Sequence, residues 1–163
     1  MGTVLTPLTP LTPDQLLERL PQQRPFRFVD EIIAVDEKSI HGRYTFRRDE
    51  LFYSGHFPGN PVTPGVILLE SMCQVGVVCQ GIYLVALELP PEEQHGWLTL
   101  FSDAEVEFTR SVLPGETVDI HGELVFWRRR KLRATVTMTN QDGVLVARTT
   151  ASGIGVKDDG EKR

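Results

Sequence analysis

Gly55-His56-Phe57-Pro58-Gly59-Asn60-Pro61-Val62-Thr63-Pro64-Gly65-Val66-Ile67-Leu68-Leu69-Glu70 joins a stiff loop to an apolar run that continues to about Leu87. Proline fixes φ and glycine admits unusual backbone, so the loop has few shapes open to it and can hold the His56 imidazole in one place. Val66 to about Leu87 is apolar nearly all round, the pattern of a helix enclosed on every side. Its length would suffice to cross a bilayer. Glu70, Gln74 and Gln80 lie inside it, however, and a carboxylate in mid-membrane is costly. The expectation is a buried core helix and no membrane span.

Working outward, residues 5–13 repeat Leu-Thr-Pro three times, which excludes regular structure and makes residues 1–12 a flexible lead-in. Thr12 as N-cap, Pro13 at the first helical position and Gln15 as partner in a capping box start a helix that stops before Pro21. Phe28–Val35 and Ile40–Phe46 flank the polar turn Asp36–Ser39 and read as a hairpin. Beyond the long helix, strand patterns cover Leu98–Phe108, Thr117–Trp127, Leu132–Met138 and Val144–Val156, separated by turn signals at Pro114-Gly115, Arg128–Lys131 and Asp142-Gly143. In the second of these, Val118, Ile120, Leu124 and Phe126 are expected on one face. Two strands, a long buried helix and then three or four antiparallel strands make an α+β protein, its helix wrapped by one curved sheet. Gly76 and Gly81 are expected to let strands approach the helix closely. Residues 13–156 form a single domain, and the charged tail 157–163 frays.

The 163 residues carry a net charge of −5, which excludes nucleic-acid binding by bulk electrostatics. Hydrophobic content of 40% with 24% charged residues is that of a globular protein with a real core. Cys73 and Cys79 lie six apart on one helix and do not face each other, so no disulfide is expected and the compartment reads as reducing and cytoplasmic. The N-terminus shows no basic region followed by an apolar run, so no signal peptide is expected. Nothing in the pattern suggests a metal site.

The junction of loop and helix is where chemistry concentrates. With Thr63 as N-cap and Pro64 as first helical residue, Gly65 presents a backbone N–H without an intrahelical partner. Such a donor at the positive end of a long helix suits an oxygen that develops negative charge, and glycine lets a ligand come close. Glu70 sits among Ile67, Leu68, Leu69 and Met72, where burial disfavours its charged form. Gln74, four residues on, can hydrogen-bond and orient it. His56 is suited to accept a proton at physiological pH. A histidine beside Phe57 is more commonly just packed or solvated, and a lone helix carboxylate more commonly pairs with arginine; their joint occurrence around Pro64-Gly65 favours chemistry. A base, an acid and an oxyanion donor fit proton removal beside a thioester carbonyl followed by loss of a hydroxyl as water.

The spaced pattern Gly55-His56-Phe57-Pro58-Gly59, Pro61, Pro64-Gly65-Val66, Glu70 and Gln74 resembles the signature of β-hydroxyacyl-acyl carrier protein dehydratases of the FabZ type. The resemblance extends upstream to Arg24–Asp30 and downstream to Ala104–Glu116, covering roughly Leu16 to Val156. It implies a hot-dog fold and a dimer in which the histidine of one subunit meets the acid of the other. By motif position these are His56 and Glu70, with Gly65 polarising the thioester carbonyl and Gln74 steadying the acid. The related FabA-type dehydratase/isomerases usually carry Asp at the acid position, so Glu70 favours dehydration without isomerisation. Both steps are proton transfers, so no cofactor is called for. The implied partner is an acyl carrier protein bearing a 3-hydroxyacyl chain, in fatty acid, polyketide or polyene biosynthesis. Assembly is expected as a homodimer, a trimer of dimers or a heterodimer.

Departures from the family pattern are Thr63 where Met is common, Ser71 and Cys73 where small Ala-like residues are frequent, and Leu100–Asp103, which lacks the usual Gly-Ile-Asp run. In relatives that strand helps line the acyl tunnel, for which Phe57, Phe101 and Trp97 are candidates, although plain core packing is the commoner role for Trp97 and Phe101. Arg128, Arg129, Arg130, Lys131 and Arg110 could dock an acidic carrier protein, although a basic hairpin tip also serves simply to discourage edge pairing. His41, His95 and His121 read as surface or packing residues. The competing readings on the same fold are an acyl thioesterase, a hydratase acting on coenzyme A thioesters, and a non-catalytic partner subunit of a heterodimer.

Overall fold

Every second residue of the strand Lys131–Asn140 is buried, with Leu132, Ala134, Val136, Met138 and Asn140 facing inward and the residues between them half-exposed. A period of two is what a sheet covered on one face requires. The computed structural model describes residues 8–158 and 160. Among them, α1 (Pro13–Glu18) precedes β1 (Glu31–Val35) and β2 (Ser39–Thr45). A long helix, α2 (Gly65–Glu88), follows, and then β3 (Trp97–Phe108), β4 (Thr117–Arg128), β5 (Lys131–Asn140) and β6 (Leu145–Lys157). The strands form one antiparallel sheet in the order β1-β2-β4-β5-β6-β3. This is the expected α+β hot-dog arrangement, a central helix against a single sheet.

The apolar helix is the core of the molecule. Every residue from Ser71 to Gln80 is buried, as is 67% of its most apolar stretch. Over Gln74–Cys79 its hydrogen bonding loosens to the wider i→i+5 pattern, a feature common near functional sites. Here the helix also lies close against the sheet. A Cβ added to Gly76 would lie 2.3 Å from Cγ2 of Val136 on β5, and one added to Gly122 on β4 would lie 3.0 Å from the Gly76 Cα. Gly81 has no such role, because the nearest atoms to an added Cβ stand at 4.0 Å.

Local detail departs from simple patterning in three places. The capping box between Thr12 and Gln15 forms, but α1 ends at Glu18, and Leu11 ahead of it packs into the core. Phe28 and Val29 are buried without belonging to β1, which starts at Glu31. On β4 the register shifts between Leu124 and Phe126, so alternation breaks there and Phe126 is exposed rather than inward. Residues 1–7 of the expected lead-in, and 159 and 161–163 of the tail, lie outside the described residues. Cys73 and Cys79 are free and buried, and burial pushes both thiols up to about 12.

Gly76→Ala tests the close approach. Overpacking against the fully buried Val136 is expected to destabilise the fold by about 1–3 kcal/mol, read as a lowered denaturant midpoint with an unchanged slope.

Candidate functional site

The loop that carries His56 is tied at every turn. The 3-10 segment Leu51–Ser54 leads into it, and the His56 N–H donates to the Phe52 carbonyl at 3.0 Å. Phe57 and Asn60 exchange backbone hydrogen bonds of 3.1 and 2.9 Å, closing a tip in which Gly59 has φ +72°. Val62 N–H returns to the His56 carbonyl at 2.9 Å. The imidazole Nδ1 lies 2.8 Å from the Val62 carbonyl oxygen. A carbonyl can only accept, which makes Nδ1 the donor, so that in the neutral ring Nε2 is the nitrogen able to accept a proton. His56 is half-buried with its ring stacked on Phe57, whose side chain is exposed.

The helix start differs from expectation. Gly65, not Pro64, is the first helical residue, and Pro64 occupies the cap, its carbonyl accepting from the N–H groups of Ile67 and Leu68 at 2.9 and 3.1 Å. Thr63 is thereby one position too early to cap, and its hydroxyl pairs with the Tyr53 hydroxyl at 2.6 Å instead. Gly65 keeps an N–H at the helix terminus without an i−4 partner. It also has a second reason to be glycine, since an added Cβ would come within 3.1 Å of the Phe108 ring on β3.

Glu70 projects from the first turns of α2 and is half-buried. Gln74, fully buried one turn on, donates to it at 2.9 Å. The other bonds of that amide go to the chain ahead of β1, with Nε2 donating to the Phe26 carbonyl and Oε1 accepting from the Phe28 N–H, both at 2.8 Å. Ser71 reinforces the contact by donating to the Phe28 carbonyl at 2.8 Å. Ser71 enters the sequence reading only as a departure from the family pattern, and Tyr53 not at all. Their polarity inside apolar surroundings was the available signal, because buried hydroxyls need partners.

The remaining residues of interest scatter. Phe101 is exposed on β3, next to a register shift between it and Asp103. A cavity of about 410 Å³ lies between the C-terminal half of α2 and the sheet, lined by Val77, Gly81, Val85, Trp97, Thr99 and Leu132 among others. Trp97 therefore borders a cavity, while His56, Glu70, Phe57 and Phe101 do not border this one. Arg110, Arg128 and Arg129 are exposed and Lys131 is half-buried. Arg130 is committed elsewhere: it pairs with Glu88 at the end of α2 and lies 5.3 and 5.8 Å from the Trp97 and Trp127 ring centroids. The two-residue β4–β5 turn explains this, with Arg129 at φ 49° and Arg130 at φ 62° in the left-handed geometry that matches strand twist. On the other side of the sheet His41 stacks on His121 at 4.0 Å and contacts Asp119 at 2.9 Å. Burial works against the Asp119 charge, yet His41 and Arg43 hold its carboxyl below the usual range.

The FabA-like domain model matches residues 20–150. The FabZ 3-hydroxyacyl-[acyl-carrier-protein] dehydratase of Deinococcus radiodurans is 32% identical over 140 residues, covering 86% of this chain and 90% of its own. That of Caldicellulosiruptor bescii is 40% identical over 114 residues, covering 69% and 76%. The chain belongs to the FabZ-type family of FabA-like proteins. Among solved structures, the dehydratase heterocomplex ApeI:P of Xenorhabdus doucetiae aligns with a TM-score of 0.71 at 15% identity, over 90% of this chain and 93% of that one. A thioesterase of Haemophilus influenzae aligns at 0.66 and 13% identity, over 96% and 98%. At those identities the likeness concerns the fold alone.

Gln74→Leu tests the amide network. It strands the Phe28 N–H in the interior and removes the donor to the Phe26 carbonyl, with an expected loss of roughly 1–3 kcal/mol in urea unfolding.

Proposed function

We propose that this protein dehydrates a 3-hydroxyacyl thioester carried on acyl carrier protein to the trans-2-enoyl thioester. The observation that carries the proposal is the Nδ1 contact of His56 with the Val62 carbonyl, which leaves Nε2 free as a base. His56 Nε2 takes the proton from the α-carbon, and the electron pair moves toward the thioester carbonyl. The oxygen that gains charge faces the Gly65 N–H at the positive end of α2. Glu70, held by Gln74, gives its proton to the β-hydroxyl; the C–O bond breaks, water leaves and the double bond forms. A proton returned from imidazole to carboxylate through solvent completes the cycle. The dehydratase activity of the FabZ relatives supports this reading, and Glu rather than Asp at residue 70 favours dehydration alone.

A second copy completes the site in this proposal, with His56 of one copy meeting Glu70 of the other. The support is the sheet edge: β3 ends the strand order, runs 12 residues, and exposes Leu98, Leu100, Phe101 and Phe108. A long apolar edge strand is a pairing surface. Exposed Arg110, Arg128 and Arg129 suit encounter with an acidic carrier protein. Two buried, free cysteines suit a reducing cytoplasm.

The test is incubation of the purified protein with hydroxyacyl-carrier protein of varied chain length, following loss of water by mass spectrometry. His56→Ala and Glu70→Gln are each expected to cut turnover by about 100-fold or more. Undiminished rates would remove the assignment. Release of free acid would indicate a thioesterase, faster turnover of coenzyme A thioesters a hydratase, and activity only with an added second protein a partner subunit.

A further inference from the structure

We propose that the buried Tyr53–Thr63 hydroxyl pair is a positioning device for the His56 imidazole, a role whose effect on turnover rests on the dehydration reading above. Tyr53 is 5% exposed and Thr63 3%, and their oxygens are 2.6 Å apart. The pair joins the two ends of the loop that holds the histidine. Tyr53 belongs to the Leu51–Ser54 turn, whose Phe52 carbonyl receives the His56 N–H. Thr63 follows directly on Val62, whose carbonyl receives the imidazole Nδ1–H.

Ring orientation therefore depends on where the Val62 carbonyl stands relative to the turn bearing His56. Thr63 sets that position through two bonds, its hydroxyl to Tyr53 and its N–H to the Val112 carbonyl at 2.9 Å. Only the first refers to the histidine's own turn. Apolar side chains would fill the same space without fixing a distance or an angle, whereas a hydrogen bond does both. Burial, foremost, holds the Tyr53 phenol above its ordinary value, so it retains its proton for this contact.

Thr63→Val keeps the shape and removes the hydroxyl, Thr63→Ser keeps the hydroxyl, and Tyr53→Phe with Thr63→Val removes both partners. Thr63→Val is expected to lower kcat about fivefold with KM unchanged, the scale of one lost hydrogen bond. Thr63→Ser should restore kcat to within about twofold of the parent. The double variant leaves no unpaired buried hydroxyl, so it should regain stability without regaining kcat. It also remains informative if Thr63→Val folds poorly. Nitrogen NMR of the imidazole gives a readout independent of turnover: His56 should be a single Nδ1–H tautomer in the parent and Thr63→Ser, and a mixture in the double variant. A double variant with parental tautomer, or with parental kcat, overturns the proposal. A parent that turns over no hydroxyacyl thioester defeats the dehydration reading instead, and the tautomer then decides the positioning role by itself.

Discussion

The amide of Gln74 is the interaction on which the site depends. It sits with no exposure in the middle of the most apolar helix of the chain. A buried amide must find partners or forfeit its desolvation cost. Two of its bonds go to backbone groups of Phe26 and Phe28, and the third goes to Glu70. The segment ahead of β1 and the carboxylate are thus oriented by one side chain. Ser71 ties the same segment to the same helix, so the link does not hinge on a single bond.

Burying that helix imposes the second constraint, which is close contact between backbones. Gly76 on α2 meets Gly122 and Val136 on adjacent strands, at distances where any side chain would collide. The helix hydrogen bonding widens over the same residues. Further along, contact relaxes, and the helix end is secured by charge, with Arg130 paired to Glu88 between two tryptophans. The tight middle holds the helix against the sheet, and the N-terminal end is left free to present Gly65 and Glu70. Phe108 of β3 lies against Gly65, so the exposed sheet edge and the helix terminus share one surface.

Much of this was legible in advance because it follows from local rules. The alternation of Leu132, Ala134, Val136 and Met138, the all-apolar run after Val66, the capping box at Thr12 and the four-residue step from Glu70 to Gln74 each depend on residues near in sequence. The departures from local rules come from partners outside the local window or from a bulge. Thr63 looked like an N-cap until Tyr53 supplied a competing hydroxyl and Pro64 took the cap position. Arg130 read as part of a basic tip, yet Glu88 lies 42 residues away in sequence and claims it. Phe126 fell out of step because a bulge on β4, invisible to alternation, turned it outward.

The sequence by itself determined which segments are strands, which helix is buried, and that an imidazole and a carboxyl flank a Pro-Gly helix start. Those are consequences of periodicity and backbone restriction, and they are written in neighbouring residues. Only the tertiary structure decided which nitrogen of His56 carries the proton, what Thr63 and Ser71 bond to, and that Gly65 must make room for Phe108. Each of those turns on a hydrogen bond or contact between groups far apart in the chain, and no local pattern encodes the direction of such a bond.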